Sequence, residues 1–136
     1  MLDSSTRDLL QQHPYKEDYQ LLLNEAIQAT TDTWQRYDGI IPFAVVLLMN
    51  GEVAFIGGPA QIPNGSIGIV EWIIRQLQQD RSSYRAIVLI QLTRVQKQDI
   101  IQAELEHHNG PALRAFYPLP NSDHWWVEQY HRRVWI

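Results

Sequence analysis

The chain contains no cysteine. That excludes disulfides, thiolate-ligated zinc, iron–sulfur clusters and cysteine nucleophiles together, and it fits a reducing compartment. Lysine is scarce, with only Lys16 and Lys97, and the one basic doublet is Arg132-Arg133. The 11 basic residues are outnumbered by 15 acidic ones, for a formal charge of −4. A nucleic-acid binder usually shows a basic stripe, so no nucleic-acid partner is expected. The longest strongly apolar run, Ile40 to Met49, is interrupted by Pro42 and is too short to span a bilayer as a helix. The stretch Met1-Leu2-Asp3-Ser4-Ser5-Thr6-Arg7 has an early acid and no apolar core, unlike a signal peptide. A soluble, cytoplasmic protein with no membrane partner is expected.

The sequence does have the makings of a core. Its 136 residues are 45% hydrophobic, enough for one self-sufficient domain spanning 1–136. The centre of the pattern is Pro42 to Gly57, where two apolar runs flank Asn50-Gly51. Asn-Gly between such runs predicts a β-hairpin with a two-residue turn, because both residues tolerate positive φ. That register pairs Leu48 with Val53 and Val46 with Phe55. Both faces are then apolar, so the hairpin must be covered on both sides, by helices of its own chain or by a partner.

The rest of the chain supplies the helices and further strands. Tyr15, Tyr19, Leu22, Leu23, Ala26, Ile27, Thr30 and Trp34 recur at helical spacing and predict a long amphipathic helix. Ser4 or Ser5 caps a short helix before it. Gly57 to Gly65 reads as a loop, and Ser66 caps a second helix reaching Gln79. Tyr84 to Val95 reads as a central strand, apolar on both faces. A fourth strand alternates Ile101, Ala103 and Leu105 with Gln102, Glu104 and Glu106, leaving one wet face. A three-residue Asn109-Gly110-Pro111 loop leads to a fifth strand from Ala112 to Tyr117, with Leu105 opposite Ala115 and Glu106 opposite Arg114. Residues 127–136 read as a last strand or an extended segment packed on the body. The expected fold is α+β: a single antiparallel sheet of about five strands with helices packed on it.

No motif for catalysis or cofactor binding stands out. His107 and His108 are adjacent on a predicted strand and should point to opposite faces, so they do not share a metal. No His-x-x-x-His pair exists, and no metal site is expected. The glycine-rich segment before Ser66 lacks the lysine of a P-loop and reads as a connector. Glu104 and Glu106 share a strand face at about 7 Å, a spacing open to acid–base chemistry, but a solvated face paired with Arg114 is the simpler reading. His107, His108, His124, Trp125 and Trp126 remain as candidate ligand-binding residues, since aromatic side chains near imidazoles suit a flat ligand. No cofactor is called for by any motif.

Two resemblances follow from these residues. Pro42-Phe43-Ala44, Asn50-Gly51-Glu52, Leu105-Glu106-His107-His108-Asn109-Gly110 and Tyr117-Pro118 resemble a set of short uncharacterised bacterial proteins, over residues 40–120. The order helix, strand, strand, helix, strand, strand, strand is similar to that of roadblock and profilin-like domains. That likeness implies a small cytoplasmic, non-catalytic dimer serving as a scaffold or regulator. Pro118, Pro120 and the tryptophan-rich tail depart from the closing helix such domains can carry. The expectation is a non-enzymatic interaction or regulatory module, acting as a homodimer and able to take a protein partner. The alternatives are a haem-like cofactor or small-ligand binder at the histidines, and a small hydrolase using Glu104, Glu106 or His108.

Overall fold

The structure is a computed structural model that describes residues 15–37, 42–57, 65–110, 112–118 and 126–136. The expected short helix before Pro14 lies outside these residues. The described elements are α1 (Lys16–Tyr37), β1 (Phe43–Leu48), β2 (Val53–Ile56), α2 (Gly65–Gln79), a 3-10 turn (Arg81–Ser83), β3 (Tyr84–Val95), β4 (Gln98–His107), β5 (Ala112–Pro118) and β6 (Trp126–Tyr130). The strands form one antiparallel sheet in the order β2-β1-β3-β4-β5-β6. The fold is α+β as expected, with six strands rather than about five. The additional strand is β6, formed where the tail pairs with β5. Among the described residues no helix is long and apolar enough to cross a membrane.

The two apolar faces of the sheet are covered by the chain's own helices. On one face α1 buries Tyr19, Leu22, Leu23 and Ala26 against Val45, Leu47, Val88, Ile90, Ala103 and Leu105. These α1 positions recur every three or four residues, so one stripe meets the sheet. Glu17 and Asp18 sit in its first turn, where acidic side chains favour the helix dipole. On the opposite face α2 buries Ile69, Val70, Ile73, Ile74 and Leu77 against Ala44, Val46, Ile87 and Leu89, and Val134 of the tail joins the same cluster. Each fully buried aliphatic side chain contributes about 1.5–3 kcal/mol of transfer free energy.

The first hairpin forms, in a different register. Leu47 pairs with Val53 and Val45 with Phe55, one residue from the expected alignment. The Gly51 N–H donates to the Leu48 carbonyl at 2.9 Å, and only Gly51 of the loop has positive φ, at 91°. This is a three-residue loop with a bulge glycine, not a two-residue turn. The Asn50 side chain accepts the Glu52 N–H at 2.9 Å and so braces the longer loop. The slip turns Phe55 toward the α1 face instead of the α2 face. The tight two-residue turn is elsewhere: Gln96 and Lys97 link β3 to β4 with φ of 51° and 68°.

The β4–β5 hairpin also differs. Leu105 faces Leu113 and Glu104 faces Arg114, so the register is shifted by two residues from the expected one and each residue keeps its face. The supposed wet face of β4 is closed as well. Glu104 and Glu106 are only 6% and 5% exposed, because the tail folds over them.

Candidate functional site

β4 ends at His107, whose ring is buried on the α1 face. It stacks on Tyr15 at 3.9 Å between centroids and meets the edge of Tyr19 at 6.1 Å. Its Nε2 lies 2.9 Å from Asp18 Oδ2, and Arg85 donates to the same carboxylate through Nε and Nη2 at 3.0 and 2.9 Å. The backbone N–H of Asn109 donates to His107 Nδ1 at 3.2 Å. That assigns the ring proton to Nε2 and makes Asp18 its acceptor. The imidazole is therefore neutral. Burial lowers its pKa from 6.5, and the pull of Asp18 offsets this only in part. For Asp18, burial pushes upward, but the hydrogen bonds from Arg85 and His107 and the Arg85 charge together hold the carboxyl below its usual 3.8.

His108 does not point away from His107. It lies in the turn just past β4, and the two rings stack at 4.8 Å and 25°. The strand alternation that would separate them has already ended. His108 Nδ1 is 3.1 Å from the Arg85 carbonyl, and Nε2 accepts from the Asn109 side-chain amide at 2.8 Å. All four ring nitrogens of the pair are thus engaged. A general base needs a nitrogen facing its reactant, and a metal or haem ligand needs a free lone pair. Neither histidine offers one. Among the described residues no group of three or more histidines, aspartates or glutamates is placed to hold a metal ion.

The opposite face of β4 carries a second polar centre. Glu106 Oε1 accepts the N–H groups of Val134 and Trp135 at 3.0 and 3.1 Å, and Oε2 those of Arg133 and Val134, both at 3.0 Å. Beside it, Glu104 accepts from Gln91, Gln102 and Arg133 at 3.0–3.2 Å. Arg114 stands 3.8 Å from Glu104 and lies over the Tyr130 ring at 3.6 Å, and among the described residues its buried Nε has no hydrogen-bond partner. Gln78 of α2 donates to the Arg133 carbonyl at 2.8 Å. Arg132 bridges the two centres, donating to the carbonyls of His108, Gly110 and Trp135. Both glutamates therefore hold the tail down. With their oxygens saturated they are poor acids or bases for chemistry.

Trp126 stacks on Phe116 at 4.9 Å, and both sit on the face opposite His107, with the sheet between. The structure brings His107 and His108 together but leaves Trp126 apart from them. His124 and Trp125 lie outside the described residues. An open hollow of about 310 Å³ lies between α2 and the tail; among the described residues it is lined by Glu71, Ile74, Arg75, Gln78 and Arg133, and not by His107, His108 or Trp126. Asp18 and Arg85, which organise the histidine cluster, were missed in the sequence because they lie 89 and 22 residues from His107. No local spacing links them.

The remaining distinctive surface is the end of the sheet. Among the described residues β2, Val53-Ala54-Phe55-Ile56, pairs only with β1, and it carries no charge and no proline. Phe55 is 55% exposed and is backed by Phe43 at 6.3 Å. Met49, at the hairpin tip, is 49% exposed. Native edge strands are usually guarded by charge, proline or a covering element. At the far edge, β6 carries Glu128 and Gln129, both exposed. No family model, curated protein or solved structure matches this chain.

Proposed function

We propose that the chain is a non-enzymatic interaction module that works as a homodimer, two copies pairing edge to edge through β2. The observation that carries this reading is the uncharged edge strand with Phe55 more than half exposed. An apolar edge presents unpaired backbone groups, and a second identical edge satisfies them by antiparallel pairing. The covered sheet faces do not call for a partner, since α1 and α2 already cover them, so the edge alone bears the argument. The buried ionisable groups support a non-catalytic role, because each is used to hold a segment in place. A cytoplasmic location fits the absence of cysteine.

Sedimentation velocity tests the reading. The wild type should shift from monomer to dimer with rising concentration, and Phe55→Lys should stay monomeric, since a lysine on the edge repels its own copy. A wild type still monomeric at about 1 mM, where association worth only about 4 kcal/mol would show, overturns it.

A further inference from the structure

Resting on the edge pairing just proposed, we infer that the two-fold axis of the dimer passes through Phe55, so that each Phe55 faces its counterpart in the second copy. In an antiparallel pair, directly opposite residues point to the same face of the sheet. Val53 and Phe55 belong to the α1 face, and Ala54 and Ile56 to the α2 face. A two-fold perpendicular to the sheet keeps each face on its own side. The axis must then pass through a residue, because an axis between Ala54 and Phe55 would oppose residues of different faces.

Two registers use the strand well, and the side chains choose between them. An axis through Ala54 places exposed Glu52 against Ile56 of the second copy, a carboxylate against an aliphatic group. An axis through Phe55 leaves Glu52 outside the paired core. It sets Ala54 against Ile56 twice, small against large, and Val53 against Gly57, beside which a side chain would meet only open space. It also brings the two Phe55 rings together across the axis. Each is already backed by its own Phe43 at 6.3 Å, so four rings form one row. Cross-strand aromatic pairs are among the more stabilising pairs in a sheet. The axis through Phe55 thus covers the most exposed aromatic side chain of the described edge and spares the acid.

A cysteine-free chain makes the register directly readable, because every introduced thiol is unique. Opposed residues of an antiparallel pair lie about 4.5–5.5 Å apart at Cα, within disulfide reach. The test uses full-length A54C, full-length I56C and their equimolar mixture, mildly oxidised and read by non-reducing electrophoresis and peptide mass mapping. Phe55 is left in place. The expected result is a disulfide dimer in the mixture, joining position 54 of one copy to position 56 of the other, and its loss in either variant alone. A bridge in A54C alone places the axis at residue 54, and one in I56C alone places it at residue 56. Either overturns the register while leaving the dimer. A sedimenting dimer with no bridge in any sample also overturns the register. A chain that never dimerises overturns the edge pairing itself.

Discussion

The two ends of the sheet are finished in opposite ways. At the β2 end the last strand is four apolar residues with no charge, and its most prominent side chain, Phe55, faces solvent. At the β4–β6 end, charged and polar groups are drawn inward and matched to one another: Asp18, Arg85 and His107 on one face, Glu104, Glu106 and Arg133 on the other. Buried charge is costly unless every partner is present, and here nearly all are. The end rich in ionisable residues uses them to fasten α1 and the tail, while the chemically plain end is the one left unfinished. Substitutions at the closed end should therefore cost stability, and substitutions at the open end should cost association.

The largest effect is expected at Glu106. Glu106→Leu removes the acceptor of three backbone N–H groups, one of them fully buried. Leaving such donors unsatisfied should cost about 3–5 kcal/mol in chemical denaturation, whereas Glu106→Gln, which keeps one oxygen, should lose roughly half of that. A loss below about 1 kcal/mol in the leucine variant would mean that the tail is held by its apolar contacts alone. Asp18→Ala comes next, at about 2–3 kcal/mol, since buried His107 loses its acceptor while Arg85 can turn to water.

The same clamp gives the closed end a pH dependence. His107 titrates below 6.5 in the folded chain, so the unfolded chain takes up the proton first. Its contribution is complete above 6.5 and is lost as pH falls toward the lowered folded value. Asp18, also lowered, contributes above 3.8 and is lost as pH falls through its own folded value. Thermal melts should therefore weaken in two stages on acidification. His107→Gln should flatten the upper stage and leave the lower one. An unchanged slope between pH 7 and 5.5 in that variant would assign the upper stage to another group.

How much of this was legible in the sequence depended on distance along the chain. β3 was readable end to end because a long run apolar on both faces has few homes other than the middle of a sheet. The stripe of α1 was readable from its period. The first hairpin was readable as a hairpin but not in register, since Asn50-Gly51 serves a two-residue turn and a bulged three-residue loop equally, and the choice rests on the Asn50 side chain bonding Glu52. Glu104 and Glu106 looked like a wet face because alternation cannot show that a tail 27–29 residues later folds back over the strand. The histidines drew attention as imidazoles, but their state is set by Asp18 and by the turn backbone, neither of which lies in the pattern around them.

At the open end the stability effect should be small. Phe55→Lys loses part of one exposed ring and its contact with Phe43, about 1 kcal/mol, and should abolish the proposed dimer. If it instead unfolds the chain as severely as Glu106→Leu, the contrast between the two ends fails.

The smallest change is a gain, and it separates the two readouts. The β3–β4 turn holds Gln96 and Lys97 at positive φ, a conformation that disfavours side chains other than those of Gly and Asn. The double replacement Gln96→Asn and Lys97→Gly supplies the residues this turn geometry prefers and should stabilise by about 0.5–1 kcal/mol. The turn belongs to the two central strands, away from the β2 edge. The dimerisation constant should therefore stay unchanged while the melting temperature rises. A dimer that strengthens along with the fold would mean that β2 is ordered only as the whole sheet tightens, and the open end would then be a consequence of overall stability, not a surface set apart for a second copy.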